Sequence, residues 1–165
     1  MKSNIRLNPN KIFTQEQPHL VLKQIINDKY EEQSQKFNPK INAGDLLVEN
    51  AAFIDDILTL CWKHFLKHHS LQHCLIATGG YGRNELFPNS DIDILILLKN
   101  TDTSAFQDKL SAFSNFLWDI GLKPGQSVRT IPECIEAAKQ DQTIMTNLLE
   151  TRIISGDPTL FTELT

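Results

Sequence analysis

No apolar run in this chain approaches the roughly 20 residues that a membrane-spanning helix needs. The N-terminal MKSNIRLNPNKIF starts polar and lacks the continuous apolar segment of a secretory leader. Cysteine is scarce: Cys61, Cys74 and Cys134 are odd in number and none stands in CxxC spacing. That excludes a disulfide framework and points to a reducing compartment, with the thiols as small buried hydrophobes. Positive charge is also short. The balance of 16 basic and 20 acidic residues leaves a net charge of −4 and a pI near 5.7. No overall field therefore favours nucleic acid, and any phosphate binding must be local. Internal repeats and low-complexity segments are absent. What is present, 165 residues of which 41% are hydrophobic, suffices for one core rather than two. The expectation is a cytoplasmic protein with neither a membrane nor a nucleic acid as partner.

Residues 1–17 are polar, carry Pro9 and show no period, so they read as a flexible arm. Pro18 suits a first helical position, and Leu22, Ile25, Ile26 and Tyr30 follow at spacings of three and four, predicting a helix over 18–36. KFNPKINAGD breaks it. A second amphipathic helix is predicted from about Asp45 to His68 through Leu47, Ile54, Ile57, Leu58, Cys61 and Phe65. Residues 18–70 thus form N-terminal helices ahead of a core over 71–165. In that core HCLIAT reads as a buried strand running into Gly79-Gly80, and DIDILILL as a second strand beside it. The intervening YGRNELFPNS has room for about one helical turn. Phe106, Leu110, Phe113 and Leu117 predict a helix over 103–119, GQSVRTI a third strand, and Pro132 the start of a short helix. QTIMTNLLETRIIS predicts another helix before Gly156, and Asp157-Pro158 opens a last one.

The chemistry concentrates in GGYGRNELFPNSDIDILILL. Side chains two apart on a strand share a face, so Asp91 and Asp93 lie side by side while Ile92 and Ile94 turn into the core. Two adjacent carboxylates repel, which a hard divalent cation with oxygen ligands relieves, Mg²⁺ above all. Glycines at 79, 80 and 82 let the backbone approach a ligand closely, and Arg83 adds a planar charge suited to phosphate. A phosphate cradle followed by a metal pair is what nucleotidyl transfer requires. A glycine pair alone is often a turn, and a lone DxD often a solvated strand end; the two in this order carry the reading.

These residues resemble the nucleotidyltransferase superfamily of the DNA polymerase beta-like fold, whose motif is Gly-Gly or Gly-Ser, a spacer, then Asp-x-Asp or Asp-x-Glu. More narrowly, GGYGRNELFPNSDIDILIL with FLWDIGLKPGQSVRT, ECIEAA and TNLLETRIISGD is similar to the N-terminal catalytic region of the bacterial PII uridylyltransferase/uridylyl-removing family, over about residues 45–165. The resemblance implies an α/β (α+β) core, a small mixed sheet flanked by helices, with an N-terminal helical extension. It also implies Mg²⁺-dependent transfer of UMP from UTP to a tyrosine of the nitrogen-signalling protein PII. Carried over, Asp91 and Asp93 are the catalytic pair and the metal ligands. Gly79, Gly80, Arg83 and Ser90 are the nucleotide-binding residues. Asn84 stands where the family often has glycine. The family's third acidic residue has no obvious counterpart: GQSVRTI lacks a carboxylate, and Glu133 and Asp141 are candidates by proximity in sequence only. The removing activity resides in a later HD-type domain and the glutamine response in ACT domains, neither of which fits here, so the chain reads as a fragment. Two rivals stand beside this reading: a catalytically silent nucleotide-binding regulatory module on the same fold, and a nucleotidyltransferase with another protein or small-molecule acceptor.

Other residues carry less. His64, His68, His69 and His73 read as a solvated helix end, without the acids or cysteines of a metal site. Arg129 either faces substrate or pairs with a carboxylate such as Asp93. Glu85 reads as a cap or ion-pair partner of the turn, Trp62 and Trp118 as core, and Tyr81 as packing under the loop or stacking on uracil.

Overall fold

In the computed structural model, residues 7–38, 40–67, 72–100 and 104–165 are described. The chain runs α1 (Pro9–Ile12), α2 (Pro18–Lys36), α3 (Ala43–Leu66), β1 (His73–Ala77), α4 (Gly79–Gly82), β2 (Ile92–Leu98) and α5 (Ser104–Asp119). It continues with β3 (Pro124–Thr130), α6 (Ile131–Gln140), α7 (Gln142–Leu149), β4 (Arg152–Gly156) and α8 (Pro158–Leu164).

One four-stranded mixed sheet has the order β3-β2-β1-β4. β1 pairs antiparallel with β2 and with β4, and β2 pairs parallel with β3 across the α5 connection. Alternation along the two central strands divides the core. Leu75, Ala77, Ile92, Ile94, Ile96 and Leu98 pack against α2, α3 and α5, whereas Cys74, Ile76, Leu95 and Leu97 meet Cys134 of α6 and Leu160 of α8. Both faces are covered by helices, which is why β1 and β2 read as nearly continuous apolar runs. Asp93, two residues before Leu95, emerges on the α6–α8 face beyond that second cluster.

Several expectations are corrected. The described part of the flexible arm, residues 7–17, holds α1, capped by Asn8, whose side chain accepts from the backbone N–H of Asn10 at 3.0 Å and Lys11 at 3.3 Å. Ile12 is buried, and Phe13 stacks on His64 at 3.6 Å. Residues 1–6 lie outside the described residues. The helix expected to run through QTIMTNLLETRIIS ends at Leu149, and Arg152–Gly156 is a strand against β1. Trp62 is core, but Trp118 is 56% exposed on α5. His64 is exposed at the end of α3, whereas His73 is buried on β1 and stacks on Phe106 at 3.6 Å. His68 and His69 lie outside the described residues. All three cysteines are free and buried, with burial pushing the Cys61 and Cys74 thiols up to about 12.

Candidate active site

β1 delivers the chain into Thr78, whose backbone N–H donates to Asp93 O at 3.0 Å, so the glycine turn is tied to the strand bearing the carboxylates. Gly79 has φ +57, a conformation that a side chain resists, and a methyl group there would sit 3.4 Å from Asn147 Oδ1 and 3.9 Å from Asp93 Oδ2. Gly82 is required by packing: a methyl group there would lie 1.9 Å from Glu150 O, so α4 rests directly on the end of α7. Asn84 has φ +62. Asparagine tolerates that region better than other side chains, which explains how it fills a position where glycine is frequent in the resembled family.

A polar network fixes the turn from behind. The Tyr81 hydroxyl donates to Asp55 Oδ1 at 2.6 Å. Arg152 donates to both oxygens of the same carboxylate at 2.5 and 3.1 Å, and also to Tyr81 O at 3.3 Å. Tyr81 is buried under the loop with the Arg152 guanidinium 5.4 Å from its ring centre. Of its two expected placements, packing under the loop is therefore the one observed. Burial, then the Asp55 charge, holds its phenol well above the ordinary range. Asn50 of α3 donates to Leu86 O at 2.9 Å and anchors the rest of the loop.

Asp91 and Asp93 stand at the head of β2, both solvent-accessible. The Asp93 carboxyl is raised above its ordinary value, first by burial and then by the Asp91 charge. Gly125, paired with Asp93 across β2 and β3, leaves room for that carboxylate: a methyl group there would be 2.6 Å from Asp93 Oδ1. A cavity of about 340 Å³ opens here, lined among others by Thr78, Asp93, Gly125, Ser127, Arg129 and Asn147. A larger cleft of about 680 Å³ between α1 and the end of α3 contains no carboxylate.

The donors at the carboxylate pair are all hard oxygens, and two repelling carboxylates with no ion-pair partner among the described residues suit Mg²⁺, which commonly takes one or two carboxylates and completes its shell with water and substrate phosphate. Among the described residues no third acidic, histidine or cysteine ligand joins them. Both candidates for that role are helix caps. Glu133 accepts from Thr130 N at 2.7 Å and Thr130 Oγ1 at 2.9 Å, and Asp141 accepts from Thr143 N at 2.7 Å.

Of the expected nucleotide-binding residues, Gly79 and Gly80 lie in the turn beside Asp93, while Ser90 donates to Phe87 O at 2.8 Å. Arg83 is engaged elsewhere, with Nη2 2.8 Å from Glu85 Oε2 and Nη1 on Glu150. Glu85 is thus an ion-pair partner of the turn. Ser127, Thr78 and Asn147 were not singled out from the sequence. The alternation Gly125, Ser127, Arg129 along β3 is a signal for Ser127; Asn147, on a helix far along the chain, offers none.

Residues 61–153 match the nucleotidyltransferase domain family. The chain belongs to that family. Its relatives include three proteins named bifunctional uridylyltransferase/uridylyl-removing enzyme. The Methylococcus capsulatus protein is 46% identical over 130 residues, 79% of this chain and 15% of the relative. One from Pseudomonas fluorescens is 42% identical over 139 residues, 84% of this chain and 15% of the relative. One from Azotobacter vinelandii is 49% identical over 111 residues, 67% of this chain and 12% of the relative. This nucleotidyltransferase domain therefore spans about 15% of the length of the relatives it matches. Its matched segment begins in α3 and ends in β4, taking in β1, β2 and β3, the glycine turn and the aspartate pair.

Proposed function

We propose that this domain transfers UMP from UTP to a tyrosine of the PII nitrogen-regulatory protein in the cytoplasm, releasing pyrophosphate. The observation that carries the reading is the Asp91/Asp93 pair beside the Gly79-Gly80 turn at the mouth of a polar cavity, in a chain whose relatives are named uridylyltransferases. Asp91 and Asp93 hold the cation, and Mg²⁺ when bound neutralises phosphate charge and favours the deprotonated acceptor oxygen. Gly79 and Gly80 admit the phosphates close to the backbone. The tyrosine oxygen attacks the α-phosphorus and gives its proton to water; the bond from that phosphorus to the bridging oxygen breaks, and pyrophosphate leaves with the electron pair.

Incubating PII with UTP labelled at the α-phosphate and this chain tests it. Label is expected on PII, falling by at least about 100-fold when Asp91→Asn and Asp93→Asn are combined. Undiminished labelling by the double variant contradicts the assignment. One observation favours a second reading, a nucleotide-binding module without turnover: among the described residues no third carboxylate joins the pair, and Asp93 is the carboxylate in the cavity's lining. Mg²⁺-dependent UTP binding without label transfer selects that reading, and transfer only to another acceptor selects a different substrate.

A further inference from the structure

Among the described residues lining the cavity beside Asp93 one is a cation, Arg129, and its situation differs from that of Arg83. Arg129 is half-buried on β3. Among the described residues its guanidinium has neither a hydrogen bond nor an ion pair. Glu133, the carboxylate that feels its charge, is turned onto Thr130 as a helix cap. Arg83 by contrast is exposed and held between Glu85 and Glu150, a group with net negative charge. Taking a guanidinium partly out of water with no carboxylate in contact is unfavourable, and an anionic ligand offsets that. The planar fork of arginine matches phosphate oxygens. Ser127, on the same face of β3, and Asn147, beside Gly79, add neutral hydrogen-bonding groups around the same space.

We infer that Arg129 binds the β- and γ-phosphates of the nucleoside triphosphate in this cavity, the part that departs as pyrophosphate. Position separates the two ends. Gly125 faces Asp93, and Arg129 lies four residues further along the same strand, roughly 13 Å between Cα atoms. The extended side chain recovers only part of that distance, so the guanidinium reaches the cavity away from the carboxylates, where the α-phosphorus must react. The inference rests on the nucleotidyl-transfer reading and deepens it.

Calorimetry of UTP and of UMP against the 165-residue chain in Mg²⁺ tests it, comparing wild type with Arg129→Gln and Arg129→Lys. Arg129→Gln is expected to weaken UTP binding ~10- to 100-fold and to leave UMP within about 2-fold of wild type. Arg129→Lys keeps the charge and loses the fork, so it is expected to fall between, again for UTP only. Unchanged UTP binding overturns the inference. So does an equal loss for UTP and UMP, the result that a purely structural arginine gives. Should Arg129→Gln lose its circular dichroism signal, Arg129→Lys carries the same comparison. A wild-type chain that binds neither nucleotide removes the underlying reading and this inference with it, whereas UTP binding insensitive to Arg129 removes the inference alone.

Discussion

At Asp93, burial and the neighbouring Asp91 charge both favour the protonated carboxyl. Between the ordinary value of 3.8 and the raised folded value, the folded chain holds a proton that the unfolded chain has released. Stability contributed here therefore falls as pH rises through that window, and the ionised pair is a burden at neutral pH. Asp93→Asn is expected to melt at a higher temperature than wild type at pH 7, the difference closing as pH falls towards 3.8. Thermal melts from pH 4 to 8 check this, and equal or lower melting of the variant at pH 7 contradicts it. The pair and the glycines before it were legible because their chemistry lies in spacing of a few residues. Partners set by the fold were not. Arg83 meets Glu150 across 67 positions of sequence, so an arginine read from its neighbours as phosphate-facing turns out to be paired with carboxylates.

Among the elements, α2, α3, α5 and the first three strands follow from period and caps, whereas β4 does not. Ile144 and Leu148 keep helical spacing, and Ile153-Ile154 is an apolar run too short for its period to separate strand from helix. Pairing decides it. β1 offers a free edge to β4, and Gly156, at φ +102, lies where a methyl group would be 2.3 Å from His73 O. β4 in turn brings Arg152 to Asp55, 97 positions away in sequence, and through it to Tyr81 of the glycine turn. Removing either partner leaves the other charge partly buried. Urea unfolding of Asp55→Asn, Arg152→Met and the double variant is expected to give a coupling of about 1–3 kcal/mol. Additivity within about 0.5 kcal/mol would show that the pair holds nothing together.

Across the whole molecule, one sheet carries a helical layer on each face, and the carboxylates emerge where β2 begins, between the glycine turn and β3. The boundary expected near residue 70 lies outside the described residues, but α2 and α3 share a single hydrophobic cluster with the sheet, so the N-terminal helices are one layer of the same core. Among the described residues no helix is long and apolar enough to cross a membrane. The fold class was readable through the family resemblance carried by the glycine turn and the aspartate pair, with apolar runs marking the central strands and helical spacing marking α3 and α5. The acceptor is not written in those features and enters only through the resemblance. The central claim is that Asp91 and Asp93 hold a divalent cation through which a nucleoside triphosphate is bound, and calorimetry of UTP with Mg²⁺ and with EDTA tests it most directly. The expected result is binding by the wild-type chain in Mg²⁺ that weakens at least ~10-fold in EDTA and in the combined Asp91→Asn, Asp93→Asn variant; UTP binding indifferent to Mg²⁺ and to both substitutions contradicts the claim.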